Sequence, residues 1–417
     1  MGIELGLGRV EKLLKLLANP HRQLKCIHVT GTNGKGSTLA YLSSILSEAN
    51  IRHGRFTTPH TISVNDSLSI NRDALPMEKF QQYKMKVQAQ NDRHEVGCTE
   101  FEILTCSMFL AFAFEAVELA LIEVGLGGRN DATNVVSKDE VLVSGITKIG
   151  IDHEKFLGNT ISSIAHEKAG IIKNGIDCVV DSTNSEEALE VIRKQADQQG
   201  SPLHEVNGSS SRIQRLIKLS PLRGKYQEQN LAISLKIVSL LRDKYQYNIS
   251  DEAIERGIQK TTWPGRLQLV QHPEKNIQFL LDGAHNESAA IELGKYLEDV
   301  RKNNEGIIFV VALTKGKSIE GLLKHIVKNE HDSVIPMKFS QPEDMPWVHC
   351  YDASELAQVA KKFVNNVDDI KLEDANELFE HLQKLKNDMD NRQVVICGSL
   401  YLCADILRAI QYAPHQR

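Results

Sequence analysis

The sequence has little that would tie it to an oxidising compartment, a nucleic acid or a membrane. Its seven cysteines, Cys26, Cys98, Cys106, Cys178, Cys350, Cys397 and Cys403, are odd in number and none has CxxC spacing. Neither a disulfide framework nor a thiolate zinc site is therefore suggested, and a reducing compartment fits best. A basic excess is also missing: Lys+Arg 49 against Asp+Glu 54 gives a net charge of −5. That balance offers no basic stripe for nucleic acid and suits an anionic membrane surface poorly. The most membrane-like stretch starts at Ile103, but Glu115, Glu118 and Glu123 interrupt it well short of the ~20 apolar residues a span needs. It reads instead as a buried helix running into a buried strand. No tandem repeat, low-complexity tract or apolar leader stands out, so no secretory signal is expected and the chain reads as cytoplasmic.

What is present is ample material for packed cores. At 417 residues and 41% hydrophobic, the chain reads as a two-domain globular protein. Val10, Leu13, Leu14 and Leu17 mark one apolar helix face, closed by Asn19-Pro20. The run Cys26–Val29 leads through a glycine-rich turn into a helix reaching about Glu48, the opening of an α/β unit. Leu119–Val124, Val141–Ile146 and Cys178–Val180 are near-continuous apolar runs rather than alternating ones, which predicts a parallel sheet covered on both faces. A second alternation follows Trp263-Pro264-Gly265, with strands expected at Phe279–Asp282, Ile307–Val311, Ser333–Met337 and Val394–Cys397. The polar stretch from Gln271 to Asn276 places the boundary, giving domains 1–270 and 271–417.

Five motifs carry chemistry. Thr30-Gly31-Thr32-Asn33-Gly34-Lys35-Gly36-Ser37 joins a strand to a helix start, where backbone N–H groups and a lysine can cradle phosphate. It is not a strict Walker loop: only Thr32 and Asn33 part the first two glycines, and Gly36 stands between the lysine and the serine. Glu123 closes a buried strand ahead of Gly125-Leu126-Gly127-Gly128-Arg129, where a carboxylate needs a cation; Mg²⁺ or Arg129 would serve. His153 in Asp152-His153-Glu154, after the strand-like run Gly145–Ile151, reads as a metal ligand or a structural histidine. Lys168 falls late in a helix, where a surface lysine is the default, and Leu281-Asp282-Gly283-Ala284-His285-Asn286 ends a strand with an acid and a turn. Together they describe an ATP-using enzyme with a cleft between domains.

These residues resemble the dihydrofolate synthase/folylpolyglutamate synthase family of the Mur ligase superfamily, from Ile3 to about Cys403. The likeness rests on Gly31–Ser37, Thr57-Thr58-Pro59-His60, Ile122–Asn134, Asp152-His153, Glu167–Ile171, Trp263–Arg266, Asp282–Asn286 and Cys397-Gly398-Ser399, in this order; the overall look is closest to the fungal dihydrofolate synthases. The resemblance implies an N-terminal P-loop-type ATPase domain with a mostly parallel sheet, plus a smaller Rossmann-like α/β domain. It implies that Mg-ATP phosphorylates the carboxylate of 7,8-dihydropteroate and that L-glutamate displaces the phosphate. ATP would be held by Thr32, Asn33, Gly34, Lys35, Gly36, Ser37, Asn230, Arg266, Asp282 and His285. Two Mg²⁺ ions are implied, with Thr58, Glu123 and His153 as ligands and a carbamylated Lys168 beside them. The catalytic set would be Lys35, Glu123, His153 and Lys168. The pteroate would be held by Ile3, Glu4, Leu5, Thr99, Glu100, Phe101, Glu102, Asn130, Asp131 and Ala132, with Phe101 suited to stack on a pterin.

The sequence departs from the family at Thr58, where many relatives carry serine, and at Lys315, where a histidine is common. It also starts close to Ile3, without the lead of bacterial relatives, so the first substrate segment is expected to be held less firmly. A monomer working on small molecules, with no nucleic-acid or membrane partner, is expected. The competing readings are a folylpolyglutamate synthase or bifunctional enzyme, a P-loop switch, and a dinucleotide oxidoreductase; the last rests only on glycines.

Overall fold

The computed structural model describes residues 5–60, 62–301, 306–328, 330–343, 345–368, 370–387 and 392–410. The chain divides into two compact units. The first takes residues up to His60, then Asn65–Pro221 and Tyr226–Thr261; the second takes 62–64, Leu222–Lys225 and the chain from Thr262 onward.

The first unit is built on eight strands: β1 (Cys26–Thr30), β2 (His53–Phe56), β3 (Leu68–Ile70), β4 (Asp73–Ala74), β5 (Leu119–Glu123), β6 (Val141–Ile146), β7 (Asp177–Asp181) and β8 (Leu203–Val206). They lie in the order β4-β3-β2-β5-β1-β6-β7-β8. The ladders from β2 across to β8 are parallel, and the two ladders of β3, with β2 and with β4, are antiparallel. Strands β1, β5, β6 and β7 are buried at every residue, as expected of a sheet with helices on both faces. The apolar stretch from Ile103 is indeed a buried helix, Glu100–Phe114, running into β5. From β1 the chain passes to β2 on one side, and from the adjacent β6 it passes to β7 on the other, so the carboxyl ends of β1 and β6 form a topological switch point, the place where α/β sheets bind ligands.

The second unit holds β9 (Gln268–Gln271), β10 (Gln278–Asp282), β11 (Ile307–Val311), β12 (Ser333–Pro336), β13 (Asn366–Val367) and β14 (Gln393–Cys397), in the order β13-β12-β11-β14-β10-β9. All its ladders are parallel except β9 with β10. Phe279, Val310, Phe379 and Leu402 belong to its core. The boundary placed at 270/271 falls within β9, whereas the units meet along the chain at Thr261–Thr262.

One local expectation changes. The run 145–151 is not a continuous strand: β6 ends at Ile146, and Thr147–Gly150 folds over the glycine-rich turn. Two polar residues cause this. Thr147 Oγ1 donates to the Asn33 carbonyl at 2.7 Å, and Thr32 Oγ1 donates to the Gly150 carbonyl at 2.9 Å.

Candidate active site

The glycine-rich turn connects the carboxyl end of β1 to the helix Lys35–Glu48. Gly34 stands at the helix start with φ 96°, where an L side chain is strained, and a Cβ there would lie 2.3 Å from Asn230 Oδ1. The N–H groups of Thr32 and Asn33 donate to the Lys148 carbonyl, fixing the turn from the β6 side. Asn230 is buried on the helix Gln227–Asp243 and donates to Gln227, which reaches Ser37 Oγ at 3.4 Å. Thr32, Asn33, Gly34, Lys35, Gly36, Ser37 and Asn230 are thus gathered around one helix N-terminus, whose backbone dipole favours an anion.

Two lysines meet at this turn. Lys35 Nζ donates to the Gly31 carbonyl at 3.1 Å, and Lys168 Nζ donates to the same carbonyl at 2.9 Å. Lys35 Nζ also stands 3.6 Å from Glu123 Oε1. Glu123, 5% exposed at the end of β5, accepts the Thr58 N–H at 3.3 Å. Lys35 pairs with it and the Arg55 guanidinium adds a further positive charge, whereas Arg129 turns away to the His166 carbonyl and Gln195. Lys168 is not a surface lysine but 4% exposed. Burial first, and the neighbouring Lys35 charge second, push its ammonium down from 10.5 to about 7. The buried amine is therefore largely neutral above neutrality. His153 sits, exposed, in a left-handed turn at the start of the short helix Glu154–Leu157, with Asp152 accepting its N–H at 2.8 Å.

A second cluster in the same unit joins segments that are far apart in sequence. The Gly6 N–H donates to the Asn130 carbonyl at 3.0 Å, bringing the chain after Leu5 to the 125–131 loop. The Phe101 ring lies over the same loop: a Cβ on Gly125 would be 2.3 Å from Phe101 Cζ. Phe101 is half-buried with its ring centroid 6.4 Å from that of Phe56. Thr99 and Glu102 form a capping box on the helix Glu100–Phe114, and Glu102 is paired with Arg9 at 2.9 Å. Glu100 is exposed and faces Lys84 at 3.5 Å. Asp131 is buried and accepts the Leu126 N–H at 2.8 Å, closing the loop; Ala132 beside it is buried. Ile3 and Glu4 lie outside the described residues.

In the second unit, Asp282 ends β10 with both carboxylate oxygens occupied by backbone, Leu267 N–H at 2.8 Å and Ala284 N–H at 2.9 Å. Burial raises its carboxyl, and the Arg266 guanidinium works against that rise. Arg266 bonds the Gly265 carbonyl, and His285 Nδ1 donates to the Gly283 carbonyl at 2.8 Å. Lys315 is half-exposed, 3.4 Å from Glu355.

Sequence reasoning did not single out Arg9, Thr147 or Gln227, which hold these pieces in place. For Thr147 a signal existed, a hydroxyl directly closing an apolar run. For Arg9 there was none, since its partner lies 93 residues away.

Two family models match. One, the Mur ligase middle domain, covers residues 29–237; the other, the dihydrofolate synthetase C-terminal domain, covers 265–409. The chain is 40% identical to the dihydrofolate synthetase of Saccharomyces cerevisiae, over 98% of each chain. It is 35% identical to the probable dihydrofolate synthetase of Schizosaccharomyces pombe, over 99% of each. In fold it is similar to the Escherichia coli FolC protein solved with DHPP and ADP, at TM-score 0.81 and 24% identity, covering 99% of this chain and 94% of that one. The glycine-rich turn with its two lysines, the second α/β unit and the full-length likeness agree, and the chain belongs to the dihydrofolate synthetase family of Mur ligases.

Proposed function

We propose that this protein is a dihydrofolate synthase, an ATP-dependent ligase that joins L-glutamate to 7,8-dihydropteroate. The observation that carries the ligase reading is the convergence of Lys35 and Lys168 on the Gly31 carbonyl at the start of a helix, with Glu123 beside Lys35. The choice of acceptor is carried by the full-length likeness to fungal dihydrofolate synthetases.

In this reading the turn from Thr32 to Ser37 holds the ATP phosphates through backbone N–H groups, and Asn230 packs behind it. The Lys35 ammonium leaves Glu123 for the phosphates and offsets charge as the γ-phosphoryl group moves to the pteroate carboxylate. ADP leaves an acyl phosphate. The glutamate amine attacks its carbonyl carbon, phosphate departs with the C–O electron pair, and the amine gives up a proton. Leu5, Thr99, Glu100, Phe101, Glu102, Asn130, Asp131 and Ala132 are the pteroate candidates among the described residues. Arg266, Asp282 and His285 are the nucleotide candidates of the second unit.

The residues present suit Mg²⁺. Glu123 is a buried carboxylate at a strand end, accepting the Thr58 N–H, and one charge it faces now is a lysine that a nucleotide would draw off. Thr58, Glu123 and His153 would hold one ion, and a carbamate on Lys168 would supply an anion for a second. Bound there, Mg²⁺ supplies charge neutralisation for phosphoryl transfer. No helix of the described residues is long and apolar enough to cross a membrane; we place the enzyme in the cytoplasm, acting as a monomer.

Dihydropteroate labelled with ¹⁸O in its carboxylate tests the acyl phosphate. One label should appear in the released phosphate during turnover with glutamate and ATP. Unlabelled phosphate, or phosphate release that ignores glutamate, would point to an NTPase switch instead.

A further inference from the structure

The 125–131 loop is anchored from below by a buried chain of three side chains. Asp131 is 1% exposed, and its carboxylate takes donors from both ends of the loop: the Leu126 N–H at 2.8 Å on Oδ2, and on Oδ1 the Thr133 N–H at 3.0 Å and the Thr133 hydroxyl at 2.5 Å. A single hydroxyl proton is available to Thr133, and it points at Asp131. The Thr133 oxygen must therefore accept from its other neighbour, His28 Nε2, at 2.8 Å. That fixes His28 as the Nε2–H tautomer, with Nδ1 bare. Nδ1 indeed finds no hydrogen-bond partner, although the ring is wholly buried. His28 is itself immobile, since its backbone is paired to Ile122 on one side and Ser144 on the other, in the middle of the sheet.

We infer that His28 and Thr133 are positioning residues for the acceptor, acting through Asp131 to hold the 125–131 loop under the Phe101 ring and against the chain at Gly6. This rests on the reading of that loop as the pteroate site. The phosphate turn has supports of its own: Thr147, Lys148 and Thr32 hold its backbone, and Asn230 packs against Gly34. It also touches the loop, since the Thr30 hydroxyl donates to the Gly127 carbonyl at 2.6 Å, but that bond does not pass through His28, Thr133 or Asp131. Breaking the buried chain should therefore loosen acceptor binding and spare the nucleotide. His28 is one of the apolar-run residues of β1, and nothing in the sequence marks it off from a core histidine.

The experiment is steady-state kinetics on Thr133→Val, Thr133→Ser and His28→Leu, with Phe101→Ala as control. Thr133→Val keeps the shape and removes the hydroxyl. It should raise KM for dihydropteroate about tenfold or more, the scale of one lost hydrogen bond to a charged group, with KM for ATP within about twofold. Thr133→Ser restores the hydroxyl and should recover most of the loss. His28→Leu should raise KM for dihydropteroate, and the double variant should be no worse than Thr133→Val alone, because the residues act as one chain. Unchanged acceptor KM in Thr133→Val, or equal rises for both substrates, would overturn the inference. If Phe101→Ala also leaves acceptor KM unchanged, the loop is not the pteroate site, and the functional reading fails rather than the chain alone. A second measurement needs no variant. Long-range ¹H–¹⁵N spectra of histidine-labelled wild type should show His28 protonated on Nε2 and shifted by dihydropteroate but not by ADP. An Nδ1–H tautomer would overturn the inference.

Discussion

Lys168 shows how much one residue's surroundings can change its chemistry. In the sequence it is one lysine among many, late in a helix, and nothing local separates it from a solvated surface lysine. The fold buries it against the Gly31 carbonyl beside a second lysine, and the ammonium falls from 10.5 to about 7. Between those values the folded protein binds fewer protons than the unfolded chain, so stability rises with pH across that window, and below about 7 the cost is constant. Compared with Lys168→Met in CO₂-free buffer, the wild type should gain stability as pH goes from 7 to 9 in urea unfolding. A difference between the two that does not change with pH would contradict the assigned cause. The same neutral amine is what CO₂ needs to form a carbamate. Glu123 was legible as an acid needing a cation, because a carboxylate closing a buried strand is costly alone. Which cation was not legible: the sequence offered Mg²⁺ or Arg129, whereas the fold sets Lys35 3.6 Å from Glu123 and turns Arg129 toward Gln195.

At the scale of elements, the helix Glu100–Phe114 carries two jobs at its first turn. Thr99 and Glu102 cap it reciprocally, and Glu102 also holds Arg9. Thr99→Ala should therefore cost about 1 kcal/mol of stability by loss of the cap. Denaturant unfolding checks this, and acceptor KM measured on the same variant separates capping from any contact with pteroate. No stability loss would mean that the cap is not used. Long apolar elements were legible: β1, β5, β6 and β7 fall where the apolar runs predict them, because parallel strands buried on both faces read as near-continuous apolar runs. Strand β2 was not legible. Its residues His53, Gly54, Arg55 and Phe56 carry no apolar run, and His53 is buried through hydrogen bonds to Ser43 and the Ile51 carbonyl. Strand β8 escaped for the opposite reason, as an edge strand only partly covered. The helix Gln227–Asp243 was missed although it carries Asn230, since its first turn is polar where it meets the phosphate turn.

At the scale of the whole molecule, the order of strand, glycine turn and helix was enough to predict an α/β architecture in two parts, and each part has its own mostly parallel sheet. Division of the chain was less legible. Residues 62–64 and Leu222–Lys225 belong to the second unit although the sequence around them belongs to the first. No composition shift marks such short excursions, because membership depends on contacts with residues far along the chain. The candidate sites divide in the same way. The phosphate turn could be read from contiguous residues, while the loop under Phe101 is assembled from Gly6, Phe101 and Asn130, which only folding brings together. A dihydrofolate synthase takes an acceptor that lacks glutamate. Incorporation of labelled glutamate by the purified protein, with Mg-ATP, into 7,8-dihydropteroate and into tetrahydrofolate at matched concentration tests this. Rapid conversion of dihydropteroate to a product bearing one glutamate is expected, with tetrahydrofolate extended slowly if at all. Efficient extension of tetrahydrofolate with dihydropteroate left untouched would contradict it and make polyglutamylation the activity.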